Sequence, residues 1–415
     1  MINALRGMKD LLENDGKLYK FIIDTCEKVV KNYGYEFCEV PKLEETALFK
    51  RSVGQSSDIV GKEMYQFIDK GGNDVCLRPE GTAGVVRAFI ENKFDRAGGV
   101  RRYFYHGSMF RYERPQRGRL REFHQFGVEC FGEASVYEDA SAILMLNEIL
   151  NTLGIKTTLK INSLGDTQCM PIYKDKLIKF VQNNTENLCQ DCLRRLQTNP
   201  IRILDCKNEN CQNILKNAPL ITDNLNQICN DDFNKLQEIL KANQVDFQID
   251  PKLVRGLDYY CKTAFEFVSN DIGSQSAVAG GGRYDKLCEY LGGKSTPAVG
   301  WAMGIERIME ILRQQQKETK RQGIYICALN SNLIDEIYKI GKMLRKNYKT
   351  EISYEAKSPN KHLNIADKKG FEIFLCLGED EFSQNQIWYK NLNNKDEKRI
   401  SIANLESEIW QTTMD

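Results

Sequence analysis

Apolar positions recur at helical spacing between residues 17 and 33, where Leu18, Phe21, Ile22, Cys26, Val29, Val30 and Tyr33 fall on one stripe. Gly34 follows as a stop signal, and residues 35–41 read as a strand ending at Pro41. Arg78-Pro79-Glu80-Gly81-Thr82 turns into a predicted helix from Ala83 to Lys93. Residues 100–131 read as a long hairpin, and residues 136–153 as a helix closed by Gly154.

From residue 167 to 247 the texture changes to a helical stretch rich in Asn, Lys, Leu and Cys. It separates two chemically dense regions and is read as an insertion. Dense chemistry resumes at Asp250-Pro251-Lys252-Leu253-Val254-Arg255-Gly256-Leu257-Asp258-Tyr259-Tyr260. The polar run from Arg313 to Gln322 reads as a helix tail and linker. Beyond it the spacing predicts a buried strand over 323–329, a helix near 331–347, a strand near 350–354, a helix near 360–369 and a strand near 372–377. That alternation predicts a small α/β domain. The expected division is therefore 1–166 with 248–320 as a core, 167–247 as the insertion and 321–415 as the α/β domain.

Composition narrows the partners only a little. The chain has 415 residues, 28% of them charged, and a net charge of +1, so a surface for a polyanion has to be a local patch. No apolar run approaches the roughly 18 residues of a membrane span, and the start, Met1 to Asp10, lacks the apolar core of a signal peptide. The 14 cysteines are scattered singly apart from one cluster, which suggests reduced thiols in a cytoplasmic setting. The cluster is Cys189, Cys192, Cys206 and Cys211. Its spacing suits a tetrahedral thiolate zinc site. Ordinary reduced cysteines explain it more simply, and no metal is assigned on spacing alone.

The hairpin carries the densest chemistry, with arginines at 111, 114, 117, 119 and 121. Side chains on a strand alternate faces. Phe123, Gln125, Gly127 and Glu129 therefore share one face, and the mostly apolar His124, Phe126, Val128 and Cys130 share the other. Gly107, Met109, Arg111 and Glu113 align likewise, giving Arg111, Glu113, Gln125 and Glu129 around a floor with two glycines that a ligand could approach. A solvated sheet face with paired charges is the alternative. Pro297 to Arg307 reads as a strand entering a helix near Gly304. Arg307 then stands where the helix dipole disfavours a cation, which is understandable if it faces a phosphate or if Glu306 neutralises it. Gly280-Gly281-Gly282 permits close approach to a ligand or, at least as readily, a tight turn.

In order along the chain, these motifs resemble the histidyl-tRNA synthetases, a class II aminoacyl-tRNA synthetase family. Val40-Pro41-Lys42-Leu43-Glu44 resembles the first class motif, with its dimer-interface proline. Phe110 to Gln125 resembles the second and Gly300 to Arg307 the third, with Ala302 in place of the middle glycine. Arg78 to Thr82, Phe123 to Glu129 and Leu253 to Tyr260 are similar to signatures peculiar to the histidine enzyme. The resemblance implies an α+β protein: an antiparallel-sheet catalytic core, a helical insertion over the tRNA acceptor stem, and a C-terminal α/β anticodon-binding domain. It further implies a cytoplasmic homodimer that uses ATP and Mg2+ to attach L-histidine to histidine tRNA through a histidyl-adenylate.

The same resemblance implies roles for single residues. Arg111, Arg255 and Arg307 are expected to be catalytic through charge neutralisation. Arg119 joins Arg307 on the distal phosphates, Glu113 meets the adenine amino group, and Phe123 stacks on the ring. Glu80, Thr82 and Gln125 take the α-amino group. Glu129 and Tyr260 meet the two imidazole nitrogens, with Tyr259 lining the pocket and Arg111 and Arg255 on the carboxylate. Arg114 and Gln116 read the tRNA acceptor end. His106, His124 and His362 receive no catalytic role, and His362 is expected on a surface helix. A non-catalytic paralogue, the regulatory subunit of a phosphoribosyltransferase, shares this fold. It generally lacks the C-terminal domain and several of these residues.

Overall fold

The first helix, Glu13–Asn32, buries Ile22, Ile23, Cys26, Val29 and Val30 and is closed by Gly34 at φ +79°, a left-handed conformation that glycine adopts without strain. It starts earlier than its apolar stripe, because Glu13 and Asp15 occupy a first turn where the helix dipole favours acids. The structure is a computed structural model that describes residues 2–54, 59–115, 118–183, 185–257, 259–272, 277–315 and 321–414. Gln116 and Asp258 lie outside the described residues. Two units, Met1–Gln316 and Lys317–Asp415, divide the chain.

Among the described residues the first unit has eleven strands: β1 (Glu36–Phe37), β2 (Leu43–Glu45), β3 (Tyr65–Ile68), β4 (Asp74–Leu77), β5 (Arg101–Phe110), β6 (Glu122–Phe131), β7 (Thr158–Ser163), β8 (Phe247–Ile249), β9 (Cys261–Val268), β10 (Ala277–Arg283) and β11 (Ala298–Gly304). Eight of them form one sheet in the order β1-β5-β6-β11-β10-β9-β7-β8, and β2-β4-β3 form a small separate sheet. The large sheet is antiparallel except at its two margins, β1 with β5 and β7 with β8. The predicted hairpin is β5–β6, paired from Arg101↔Phe131 to Phe110↔Glu122. The predicted strand 35–41 shrinks to β1, since only Glu36 and Phe37 pair, with Tyr103 and Phe104.

Alternation along β6 separates structure from chemistry. Phe126, Val128 and Cys130 point into the main core with Phe104, Phe265 and Trp301. Buried residues of the helices Glu13–Asn32, Val136–Thr152, Gln227–Ala242 and Ile305–Gln314 cover that face. Each fully buried large apolar side chain contributes about 1.5–3 kcal/mol. On the other face Tyr105, Met109 and Phe131 pack with Val85, Val86 and Phe89 of the helix Thr82–Glu91. Ser135 caps the helix Val136–Thr152 by accepting from the Tyr137 N–H. Its first turn carries Asp139, 2% exposed, to the 1% exposed Arg283, whose Nε donates at 2.9 Å. This ion pair locks helix to sheet inside the core.

The insertion leaves the sheet after β7 and returns through β8. It builds a core of its own around Tyr173, Leu177, Val181, Cys192, Ile203 and Leu215. The last helix of the predicted insertion, Gln227–Ala242, instead packs Phe233, Leu236 and Leu240 into the main core. Its apolar stripe finds the larger apolar surface on the eight-stranded sheet.

The second unit contains β12 (Ile324–Ala328), β13 (Thr350–Ile352), β14 (Ile373–Leu377), β15 (Gln386–Asn391) and β16 (Glu397–Ser401), ordered β13-β12-β14-β15-β16. The first three are parallel, as the alternation of strands and helices predicted; the antiparallel β15–β16 hairpin was not foreseen. His362 is fully buried rather than on a helix surface. The helix Pro359–Lys368 turns it inward, where Nε2 accepts from the Lys357 N–H at 3.1 Å and Nδ1 lies 3.0 Å from the Tyr325 hydroxyl.

Candidate active site

The face of the large sheet opposite the main core opens into a cleft of about 270 Å³. Glu80, Thr82, Arg111, Glu113, Arg119, Phe123, Gln125, Arg255, Tyr259, Tyr260 and Arg307 all line it. They come from segments more than two hundred residues apart in the chain, so the fold brings most of the predicted site together. Glu129 and Arg114 do not line it. Glu129 lies behind the lining, and Arg114 is exposed. Gln116 falls outside the described residues.

Four arginines set the field of the cleft. Arg111 leaves the end of β5, donates Nε to the Pro79 carbonyl at 2.9 Å and has its guanidinium 5.1 Å from the Phe123 ring centre. Arg119 donates to Glu113 at 3.0 Å, and Arg111 lies 4.0 Å from the same carboxylate. Arg307 stands in the first turn of the helix Ile305–Gln314 and donates to the Ala277 carbonyl. Burial, and then repulsion from Arg119 and Arg111, lower its pKa, although a guanidinium stays charged. Glu306 does not neutralise it: that carboxylate accepts from the His124 N–H and meets the His124 ring Nδ1 at 2.8 Å. Arg255 is paired with Glu266 at 3.2 Å, but Arg111, Arg119 and Arg307 together carry more positive charge than Glu113 offsets, a local condition for binding a polyanion.

The other end of the cleft is built for a smaller polar group. Glu80 is 4% exposed, and its carboxylate accepts from the Thr82 N–H at 2.7 Å and the Ala83 N–H at 2.9 Å, tying down the start of the helix Thr82–Glu91. Burial raises its pKa against those bonds. The Thr82 hydroxyl donates to Glu129 at 2.6 Å, which leaves its oxygen as an acceptor. Gln125 Oε1, the Tyr259 hydroxyl and Arg255 Nε are buried without a hydrogen-bond partner among the described residues. Leaving buried polar atoms unpaired costs about 1–3 kcal/mol each, so three in one cleft mark places for a ligand's polar atoms. Glu129, 1% exposed, is bonded to Thr82, Tyr105 and Tyr284, and burial pushes its pKa up to about 8.

The glycines differ from expectation. A Cβ on Gly127 would overlap the Tyr105 ring, as would one on Gly81. That floor is thus filled by Tyr105 at Gly127, and a Cβ on Gly107 would stand 2.8 Å from Arg78 Nη2, so neither glycine leaves an opening for a ligand. Gly280, Gly281 and Gly282 form no turn; they lie inside β10. A Cβ on Gly280 would stand 2.6 Å from Arg255 Nη1. The glycine makes room for the guanidinium, whose Nη1 donates to Glu266 at 3.2 Å. Glu266 and Gly280 pair across β9 and β10 and both line the cleft. Gly280 stood in the glycine run read from the sequence, whereas Glu266 was not singled out there. The visible signal was Glu266 as the one acid in the otherwise apolar stretch Ala264 to Val268.

The fold recurs in solved structures. That of apo S. aureus histidyl-tRNA synthetase superposes with a TM-score of 0.80 at 32% identity, covering 98% of both chains. An ATP phosphoribosyltransferase regulatory subunit/histidyl-tRNA synthetase from Bacillus halodurans shares the fold at a TM-score of 0.66 and 20% identity, covering 91% of this chain and 98% of that one. The antiparallel sheet with its flanking helices has the fold of the class II aminoacyl-tRNA synthetases. The sequence pattern of histidyl-tRNA synthetases matches residues 7–308, and that of the anticodon binding domain matches residues 323–412. A histidine–tRNA ligase of Campylobacter fetus is 76% identical over 409 residues, covering 99% of this chain and 100% of that protein. The chain belongs to the histidyl-tRNA synthetase family.

Proposed function

We propose that this chain attaches L-histidine to histidine tRNA in two steps. The histidine carboxylate, ionised at neutral pH, attacks the α-phosphorus of ATP, and pyrophosphate leaves. A ribose hydroxyl at the tRNA 3′ end then attacks the carbonyl of the adenylate, and AMP leaves. No base is needed to activate a carboxylate. The barrier is repulsion between it and the triphosphate, so charge neutralisation and in-line positioning carry the first step.

The observation that carries this reading is the convergence of Arg111, Arg119, Arg255 and Arg307 on a cleft whose other end holds unpartnered buried polar atoms. Arg111 and Arg255 approach the reacting carboxylate and α-phosphate, while Arg119 and Arg307 take the distal phosphates. Glu113 and Phe123 receive the adenine. An ammonium group needs three acceptors, and Glu80, the Thr82 oxygen and the unpaired Gln125 Oε1 supply them. Tyr259 and Tyr260 line the imidazole end. Glu129 reaches a ring nitrogen by exchanging one of its three hydroxyl partners, since in the present arrangement all of them engage it. Magnesium favours carboxylate and phosphate oxygens. Of the carboxylates lining the cleft, Glu80 and Glu113 have other substrate roles and Glu306 engages His124, which leaves Glu266 to hold the ion with the phosphates, where it would add positive charge.

The remaining parts follow the same reading. Residues 323–412 bind the anticodon stem-loop, the insertion covers the acceptor stem, and Arg114 and Gln116 meet the acceptor end. A homodimer is supported by exposed Phe37 on the marginal strand β1 and by exposed Leu43, Phe67 and Ile68 on the small sheet. Work in the cytoplasm is supported by free thiols at all fourteen cysteines. The test is charging of a histidine tRNA transcript with labelled histidine. Label in tRNA is expected with that transcript and not with others; absence of charging under saturating ATP overturns the proposal.

A further inference from the structure

Four sulfurs from three segments of the insertion meet at one point. Cys189 and Cys192 flank the start of the helix Gln190–Thr198, Cys206 follows the turn Pro200–Asp205, and Cys211 lies in the helix Glu209–Ile214. Their Sγ atoms all lie within 4.8 Å of one another, and Cys189 Sγ is 3.7 Å from Cys206 Sγ. All four are free thiols. Sulfurs held about 2.3 Å from a tetrahedral zinc are about 3.8 Å apart, so the spacing fits one ion at the centre.

The surroundings suit thiolates. The Cys189 N–H points at Cys211 Sγ at 3.2 Å and the Asn208 N–H at Cys206 Sγ at 3.5 Å, the kind of outer donor that orients and stabilises a metal-bound sulfur. The insertion's own core is small, and small cores are where a metal substitutes for missing apolar area. The other thiol grouping, Asp166 with Cys169 and Cys229, needs no ion. Asp166 already caps the helix Cys169–Gln182 and bonds Asn226.

We propose that Cys189, Cys192, Cys206 and Cys211 bind one structural zinc ion. The ion pins a basic lip over the catalytic cleft. Arg195, Arg202 and Lys207 of this knuckle, outnumbering its Asp191 and Asp205, line a second cavity together with Arg111, Arg119, Glu63 and Glu113. Arg202 Nη1 donates to the Gly256 carbonyl at 2.8 Å, beside Arg255. The lip's electrostatic task, holding the phosphates of an incoming RNA end, rests on the function proposed above; the metal site does not.

Metal analysis of the full-length protein, purified from zinc-supplied cells without chelator, tests the site. About one zinc per chain is expected. Cys192→Ser and Cys206→Ser should lose it, and Cys261→Ser, outside the cluster, should keep it. Cobalt(II) exchanged into the wild-type protein should give the intense visible bands of tetrahedral thiolate ligation, a readout independent of how well the variants fold. Wild-type protein without zinc and with four freely titrating thiols at the cluster overturns the site, as does zinc retained in both cluster variants. Chelating the zinc should raise KM for tRNA severalfold while histidine-dependent pyrophosphate exchange persists. An unchanged KM removes the lip role and leaves the metal site standing. Absence of exchange with zinc bound counts against the proposed function instead.

Discussion

Replacing Gly280 with alanine is expected to disable the cleft without removing one functional group. The added Cβ would stand 2.6 Å from Arg255 Nη1, 3.0 Å from Arg255 Cζ and 2.9 Å from the Phe265 carbonyl oxygen. The carbonyl is part of β9, whose ladder with β10 pairs Gly280 with Glu266, so that contact strains the strand pair while the Arg255 side chain swings away from the new methyl. Restoring ordinary contact from 2.6 to 3.4 Å moves Nη1 by about 0.8 Å and strains its 3.2 Å bond to Glu266. A misplacement of about 1 Å at a reacting centre lowers rates about 10²-fold, equivalent to about 2.7 kcal/mol of barrier. The overpacked strand should lose about 1–3 kcal/mol of stability, little enough for the fold to persist. Histidine-dependent ATP–pyrophosphate exchange is the assay, with circular dichroism as the check on folding. Arg255→Ala supplies the second leg of a double-mutant cycle. If Gly280 acts through Arg255, Gly280→Ala adds little once the guanidinium is gone. A folded Gly280→Ala enzyme within threefold of the wild-type rate, or losses that simply multiply, would refute the reasoning.

Other perturbations follow from buried groups. Arg283→Met leaves Asp139 charged and unpaired in the core, so urea unfolding should show a loss of about 3–5 kcal/mol; a change under about 1 kcal/mol would contradict the role given to that pair. Glu129 has a folded pKa of about 8 against an ordinary 4.5. Between those values the folded protein holds a proton that the unfolded chain has released, so stability from this group is fullest below about pH 4.5 and falls as pH rises toward 8. Glu129→Gln should flatten the stability profile by about 2 kcal/mol between pH 6 and pH 8, and parallel profiles for the two proteins would count against it. Gln125→Leu removes a buried oxygen that has no hydrogen-bond partner among the described residues. It should raise the histidine KM while stabilising the ligand-free protein by about 1 kcal/mol; an unchanged KM would argue that this oxygen does not meet the substrate.

What the sequence disclosed was what local periodicity encodes. The period of two along 122–131 assigned Gln125 to the chemical face and Phe126, Val128 and Cys130 to the core before any pairing was known. The helix from Thr82 and the arginine in the first turn after Gly304 were legible because stop and start signals lie beside them. The Gly280–Gly282 run misled because glycine signals a turn as readily as a close approach, and only the β9–β10 register reveals Arg255 above it. Tyr105 over Gly127 escaped for the same reason, since the residue that fills a glycine's space comes from another strand. His362 looked exposed among lysines and asparagines, yet its partners Tyr325 and Lys357 lie on neighbouring segments. The spacing of the four cysteines pointed to zinc without deciding it, because spacing does not say whether three segments fold back on one another.

The account rests on a cleft that neutralises a carboxylate and a triphosphate and accepts one amino acid. Histidine-dependent ATP–pyrophosphate exchange, run without tRNA against each of the common amino acids, tests that claim most directly. Exchange with histidine, strongly reduced by Arg255→Ala and by Arg111→Ala, is the predicted result. Equal exchange with another amino acid, or undiminished exchange in both arginine variants, would contradict it.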